Sequence, residues 1–306
     1  MTFLSLLAAL LADHAWPLRE DNRLLLWLKR YAIALEGAVN GGQSRHGVLA
    51  WALVVGPALV VTVAVQHLAG DLGWLAATAW NVAVLYLTMS FRGFRRVFAE
   101  VERVLRAGDL AAARELVGKW RGASAAELSA GEAARVAIEQ GLLASHRHVF
   151  GPIVWFIALG PAGAVLYRVS AMLSELWDPR NAPDLGAFGS FAARAFVWAD
   201  WLPARLTAAS FAAAGDLADA VYCWRAQAGG WTPRADGIIL ASGGGALGVR
   251  LGEALRQDGG LHYRPELGTG EAADVDHLRQ AAGLVWRALV LWLFLVFLVS
   301  LAHALG

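Results

Sequence analysis

The chain has 306 residues, 58% of them hydrophobic and 17% charged, where an ordinary soluble domain is about 25% charged. A formal net charge of +1 excludes the concentrated basic face that a nucleic-acid partner needs, and a single cysteine, Cys223, excludes an internal disulfide and a cysteine-rich metal centre. A mean hydropathy of +0.48 and 14 tryptophans, whose indole rings favour membrane–water interfaces, direct the reading to the bilayer.

Phe3 to Ala12 is apolar, follows no positive charge and runs into Asp13-His14, so it reads as a short, partly inserted helix rather than a cleavable signal. Arg19 to Arg45 is amphipathic, with Leu24 to Leu28 beside Lys29 and Arg30, and is expected on the membrane surface. Gly47 to Ala69 and Gly73 to Ser90 carry no charge, taking His67 as neutral, and stand apart by Gly70-Asp71-Leu72 alone. Each approaches the roughly 20 residues that cross a bilayer, which predicts an antiparallel transmembrane hairpin over 47–90. Residues 91–148 are polar with helical spacing. Val149 to Leu166 is a third apolar run, interrupted by Pro152 and by Gly160-Pro161-Ala162-Gly163; residues 174–192 read as a Gly- and Pro-rich loop; Ala195 to Ala214 is a fourth run. Residues 215–285 are polar and Gly-rich, and Leu284 to Leu305 is a last span. The expected fold is all-α: one polytopic membrane domain over 1–306 with about four to six membrane helices, its broken membrane helices at 149–214. With the runs spanning, 22 of the 26 basic residues share one side, which the positive-inside rule makes the cytoplasmic side of a bacterial inner membrane.

Several residues stand out as candidates for chemistry. Asp200 and Arg205 interrupt an apolar run around Pro203, and charges at membrane depth usually face a partner or a wet cavity; a helix end, where both would pair or snorkel, is the plainer reading. His146 and His148 flank Arg147 at a spacing that puts them on different helix faces, with no neighbouring carboxylate or cysteine, so no metal site is expected. The stretch from Ser242 to Gly252 holds five glycines. It matches neither the P-loop nor the dinucleotide pattern, which favours close helix packing over phosphate contact.

The order of the hairpin, GPIVWFIALGPAGAVLYR (151–168), DWLPARLTA (200–208) and GALGVRLG (245–252) resembles the CobD/CbiB family of membrane proteins. The resemblance covers nearly the whole chain and implies adenosylcobinamide-phosphate synthesis, the ATP-dependent joining of an aminopropanol unit to adenosylcobyric acid by an amide bond. The FW…GP and DW-P-RL elements are also similar to AmpE, a membrane protein of the same superfamily linked to β-lactamase regulation. Against the synthase pattern, Leu143, Ala144, Arg147, Ala171, Ser174, Phe196 and Val197 stand where carboxylates or amides are expected. Glu139, Tyr167, Arg168, Arg194, Pro203, Arg205, Gly237, Gly248 and Arg250 are kept, and with Asp200 they form the expected ligand set. Arg168, Arg194, Arg205 and Arg250 are expected to converge on an anion.

Two functions follow. The first is an AmpE-like, non-catalytic membrane protein that binds an anionic or corrinoid ligand, or a membrane or cytoplasmic protein partner, without metal or cofactor. The alternative is the synthase, using Mg²⁺ and ATP with Glu139, Glu175, Asp200 and Asp236 as carboxylates.

Overall fold

The computed structural model describes residues 2–16, 23–89, 91–178, 185–257 and 259–305. The chain divides into two compact units, one of residues 1–90 and 147–203, the other of 91–146 and 204–306.

The first unit holds α1 (Thr2–Ala15), α2 (Arg23–Val39), α3 (Ser44–Asp71), α4 (Trp74–Thr88), α8 (Gly151–Leu176) and the first part of α9 (Ser190–Ala214). The hairpin is α3 and α4, reversed at Gly73, whose φ of 116° is open to glycine and strained for other residues. Only 22% of the apolar stretch of α3 is buried within the protein. Val60 and Leu68 are 68% and 63% exposed, so lipid rather than a protein core must cover this helix. The core of the unit gathers Ala50 and Val54 of α3, Val169 and Leu173 of α8, and Trp177, Phe188 and Ala192. Two glycines permit the approach. A Cβ at Gly47 would lie 1.9 Å from the Phe188 carbonyl oxygen, and one at Gly189 would lie 1.7 Å from that of Trp177.

α8 breaks where the sequence predicts: Gly160 takes φ 66°, ψ −154° ahead of Pro161. Pro152, by contrast, leaves α8 unbroken; it comes just after a π-helical turn at His146–Phe150, where the hydrogen-bond ladder shifts its register. α8 also continues past Leu166 to Leu176, because one arginine in an apolar setting ends the hydropathy run but not the hydrogen-bond ladder. The amphipathic stretch is shorter than expected: α2 ends at Val39 and Arg45 belongs to α3, while residues 17–22 of that stretch lie outside the described residues.

The second unit holds α5 (Phe91–Arg106), α6 (Leu110–Arg121), α7 (Ala130–Ser145), the later part of α9, α10 (Leu217–Gln227), α11 (Arg234–Leu247) and α12 (Val275–Leu305). Asp109 caps α6, accepting from the Ala112 N–H at 3.0 Å. Ser129 and Glu132 close a reciprocal capping box on α7. Residues 91–148 are helical as expected, and α7 is buried along nearly its whole length. Between α11 and α12 lie short strands absent from the sequence reading: β1 (Val249–Gly252), β2 (Leu255–Gln257), β3 (Gly260–His262), β4 (Glu266–Leu267) and β5 (Glu271–Ala272). β1 pairs antiparallel with β4 and parallel with β5, and β2 with β3 forms a hairpin. Ser44–Asp71, Ala130–Leu176 and Val275–Ala302 are long and apolar enough to cross a membrane, with Thr2–Ala15 and Trp74–Thr88 as shorter apolar helices. The protein is a mostly helical membrane bundle.

Candidate functional site

The glycine cluster sets up the site by packing. Gly243, Gly244 and Gly245 lie inside α11, where a Cβ would come within 2.7 Å of the Leu142 side chain, 2.9 Å of the Val249 carbonyl oxygen and 2.6 Å of that of Asp219. Gly248 then ends the helix in the left-handed conformation at φ 65°. The chain turns into β1, and Gly252, at φ 73°, passes so close to Pro265 that a Cβ would lie 2.0 Å from its carbonyl oxygen.

This turn lays a charged cluster against α7. Glu139, 2% exposed, accepts from the Gly252 N–H at 2.8 Å and from both terminal nitrogens of Arg264 at 2.7 and 3.1 Å. Arg264 also donates to the carbonyl oxygens of Gly252 at 2.8 Å and Glu253 at 3.0 Å, and its guanidinium stands 5.4 Å above the Trp231 ring. Gly237 admits Trp231, since a Cβ there would lie 2.7 Å from that of Trp231. One helical turn before Glu139, Arg135 pairs with the Glu253 carboxylate and donates to the Ala254 carbonyl oxygen at 3.1 Å. Arg250 lies 3.9 Å from Glu253, a residue held at φ 60° without being glycine. Arg121, at the end of α6, completes the group. Burial, and then the positive charge of Arg264, hold its guanidinium below the usual arginine range, with Glu139 opposing.

Four arginines, Arg121, Arg135, Arg250 and Arg264, thus face two carboxylates, Glu139 and Glu253. The Arg121 Nη1, Arg135 Nε and Arg250 Nε atoms are buried without a hydrogen-bond acceptor. Excess positive charge with unsatisfied planar N–H donors is a setting that favours a phosphate group. A cavity of about 390 Å³ adjoins, lined by Glu253, Ala254, Tyr263, Arg264, Pro265 and Glu266.

The sequence-derived candidates divide between the units. In the second, Glu139, Gly237, Gly248 and Arg250 belong to this cluster, while Arg205 on α9 lies within electrostatic reach of Arg234. Asp236 is buried in the first turn of α11. In the first unit, the Tyr167 hydroxyl donates to Asp200 Oδ1 at 2.7 Å, both buried, in space that Gly151 leaves by lacking a Cβ. Arg168 lines a separate apolar cavity; Arg194 is exposed, does not line it, and donates to Ser44 Oγ at 3.1 Å. Glu175 pairs with Arg147 at 3.7 Å. Among the described residues, no three His, Cys, Asp or Glu side chains are grouped to hold a metal ion. Arg121, Arg135, Trp231, Glu253 and Arg264 were missed in the sequence. Glu139 and Arg264 are 125 residues apart, and only the Arg135–Glu139 spacing on one helix face hints at the pairing.

Fold and site together define a polytopic helical membrane protein whose polar chemistry gathers in an arginine-rich cluster. The family described as CobD/Cbib protein matches residues 6–285, and the chain belongs to that family. It is 37% identical over 301 residues to the cobalamin biosynthesis protein CobD of Stutzerimonas stutzeri strain A1501, covering 96% of each chain. It is 36% identical over 278 residues to the protein of that name from Chromobacterium violaceum, 90% of this chain and 87% of the relative. The Mycobacterium tuberculosis CDC 1551 protein of that name is 30% identical over 237 residues, 76% of this chain and 74% of the relative. No solved structure matches.

These matches correct the expectation of an AmpE-like, non-catalytic protein: relatives that align end to end carry the cobalamin-biosynthesis name, and the AmpE-like features find no support. The carboxylates lost at positions such as Leu143, Ala144 and Arg147 do not decide the matter. Magnesium bound chiefly through phosphates and water needs only one or two carboxylates from the protein, so several can go without removing the chemistry.

Proposed function

We propose that this protein works in cobalamin biosynthesis as an adenosylcobinamide-phosphate synthase, joining an aminopropanol unit to adenosylcobyric acid by an ATP-dependent amide bond. The observation that carries the reading is the 37% identity over 96% of the chain with a cobalamin biosynthesis protein CobD. The arginine cluster supports it, because ATP brings phosphates that need a cationic, pre-oriented cradle.

ATP would supply the activation of the corrin carboxyl for attack by the amine. This chain's part is to bind and orient. The free donors of Arg121 and Arg250 would hold a phosphate, while Glu139 and Trp231 fix the plane of Arg264 so that its charge is preset. Glu253 and Glu266, the carboxylates lining the cavity, would face a magnesium ion carried on the phosphates. The polar segments would then lie on the cytoplasmic side of the inner membrane, where ATP and the corrinoid are found.

The test is genetic. In a bacterium lacking its own synthase and fed cobyric acid, this chain is expected to restore cobalamin production, and Arg121→Gln to reduce it at least tenfold at equal protein level. No restoration by a membrane-inserted wild-type chain would overturn the reading.

A further inference from the structure

The first unit contains a second cavity, of about 500 Å³, walled by α2, α3, α4 and α8. Leu24, Leu28, Val61, Val84, Leu87 and Val165 make most of its wall apolar, and its volume is that of a ligand site. Arg168 is the charged residue in that wall. No hydrogen bond or ion pair among the described residues engages its guanidinium; its charged neighbours are Arg147 and Glu175, which pair with each other. The wall's hydroxyls are already occupied: Thr62 donates to the Ala58 carbonyl oxygen at 2.7 Å and Thr88 to that of Val84 at 2.8 Å. The Trp80 indole N–H, also in the wall, is buried without an acceptor. An apolar chamber that offers one cation without a hydrogen-bonded partner and one unused donor is complementary to an amphiphile with an anionic head.

The depth fits a lipid. Thr88 ends α4, and at 1.5 Å per residue it lies roughly 22 Å along the helix from the Gly73 turn. The hydrocarbon core is roughly 30 Å thick, so the Thr88 end of the cavity lies toward one membrane face. Trp27 and Tyr31 of α2, which also line the cavity, stack with ring centroids 5.7 Å apart, an aromatic pair of the kind found at headgroup level.

We propose that this cavity holds an acyl chain of one anionic membrane phospholipid whose phosphate is bound by Arg168. Two charge-assisted N–H···O bonds to a phosphate, away from bulk water, would distinguish an anionic headgroup from a zwitterionic one, whose own cation competes for the phosphate. Such a lipid would tie α2 to the α3–α4 hairpin and α8 within the first unit.

The experiment is native mass spectrometry of the purified full chain with phosphatidylglycerol, phosphatidylcholine or inorganic phosphate as probe. The wild type is expected to retain one phosphatidylglycerol with about tenfold preference over phosphatidylcholine, the size of one charge-assisted interaction, and not to respond to inorganic phosphate. Arg168→Gln should abolish the preference, Ala58→Trp should exclude both lipids by filling the cavity, and Lys119→Gln at an exposed position on α6 should change nothing. Equal retention of the two lipids by the wild type, or an undiminished preference in Arg168→Gln, would overturn the proposal. So would normal phosphatidylglycerol retention by an Ala58→Trp protein that still melts cooperatively; if that variant does not fold, the Arg168→Gln comparison decides alone. Amide synthesis is read in none of these arms, so this proposal and the synthase reading fail separately.

Discussion

Glu139 is the residue on which the charged cluster of the second unit is built. In the sequence it is a surviving carboxylate of the family pattern, expected in the ligand set and, under the synthase alternative, as a metal carboxylate. In the structure its two oxygens are engaged by Arg264 and the Gly252 N–H. A buried carboxylate so engaged orients its neighbours. Truncating one partner of a buried ion pair leaves the other uncompensated, at about 3–5 kcal/mol. Glu139→Ala should therefore lower thermal stability in detergent by several degrees, and Arg264→Lys should recover only part of what Arg264→Ala loses, because an ammonium cannot meet the carboxylate bidentately. Wild-type stability in Glu139→Ala, measured by thermal unfolding, would show that the cluster is not held this way. Nothing in the local sequence announces Arg264, which comes from a segment far along the chain and reaches Glu139 only once Gly252 and Pro265 have closed on each other.

At the scale of elements, legibility followed length and uniformity. α3 and α4 were readable because helices apolar on every face have only the bilayer as an environment. The kink at Gly160-Pro161 was readable because both residues disfavour a continuous helix. The strands were not, since β1 to β5 are two to four residues long, too short for alternation to register. α7 lies in a stretch that reads as polar, yet its Ala- and Gly-rich surface suits the close packing it has, and its capping box carries a testable consequence. Burial would raise the Glu132 carboxyl, but hydrogen bonds from the Ser129 backbone and hydroxyl and the nearby Arg135 and Arg256 bring it below its ordinary value. A group lowered on folding adds stability above its unfolded pKa and loses it as pH falls through the folded value. Ser129→Ala should cost about 1 kcal/mol near neutral pH. That deficit should shrink as acid protonates Glu132. A deficit that stays constant down to pH 3 would show that the box does not act through the ionised carboxylate.

For the molecule as a whole, the charge pattern and the chemistry make one account. The arginine-rich polar segments should share the cytoplasm with ATP. A phosphatase reporter fused after Leu72 is therefore expected to be active in the periplasm, and reporters fused near Gly122 and Gly230 to be inactive; the reverse pattern would invert the protein. The resemblance in the sequence located the family, and the end-to-end relatives support its chemistry, while the losses at single positions misled because they were judged without knowing where the remaining charges meet. The most direct test is reconstitution. Purified protein in lipid, given adenosylcobyric acid, an aminopropanol phosphate, ATP and Mg²⁺, is predicted to form the amide with matching ATP consumption, and Arg121→Gln to raise the apparent KM for the phosphate-bearing substrate it contacts. Folded, lipid-embedded protein that consumes no ATP and forms no amide under these conditions would contradict the account.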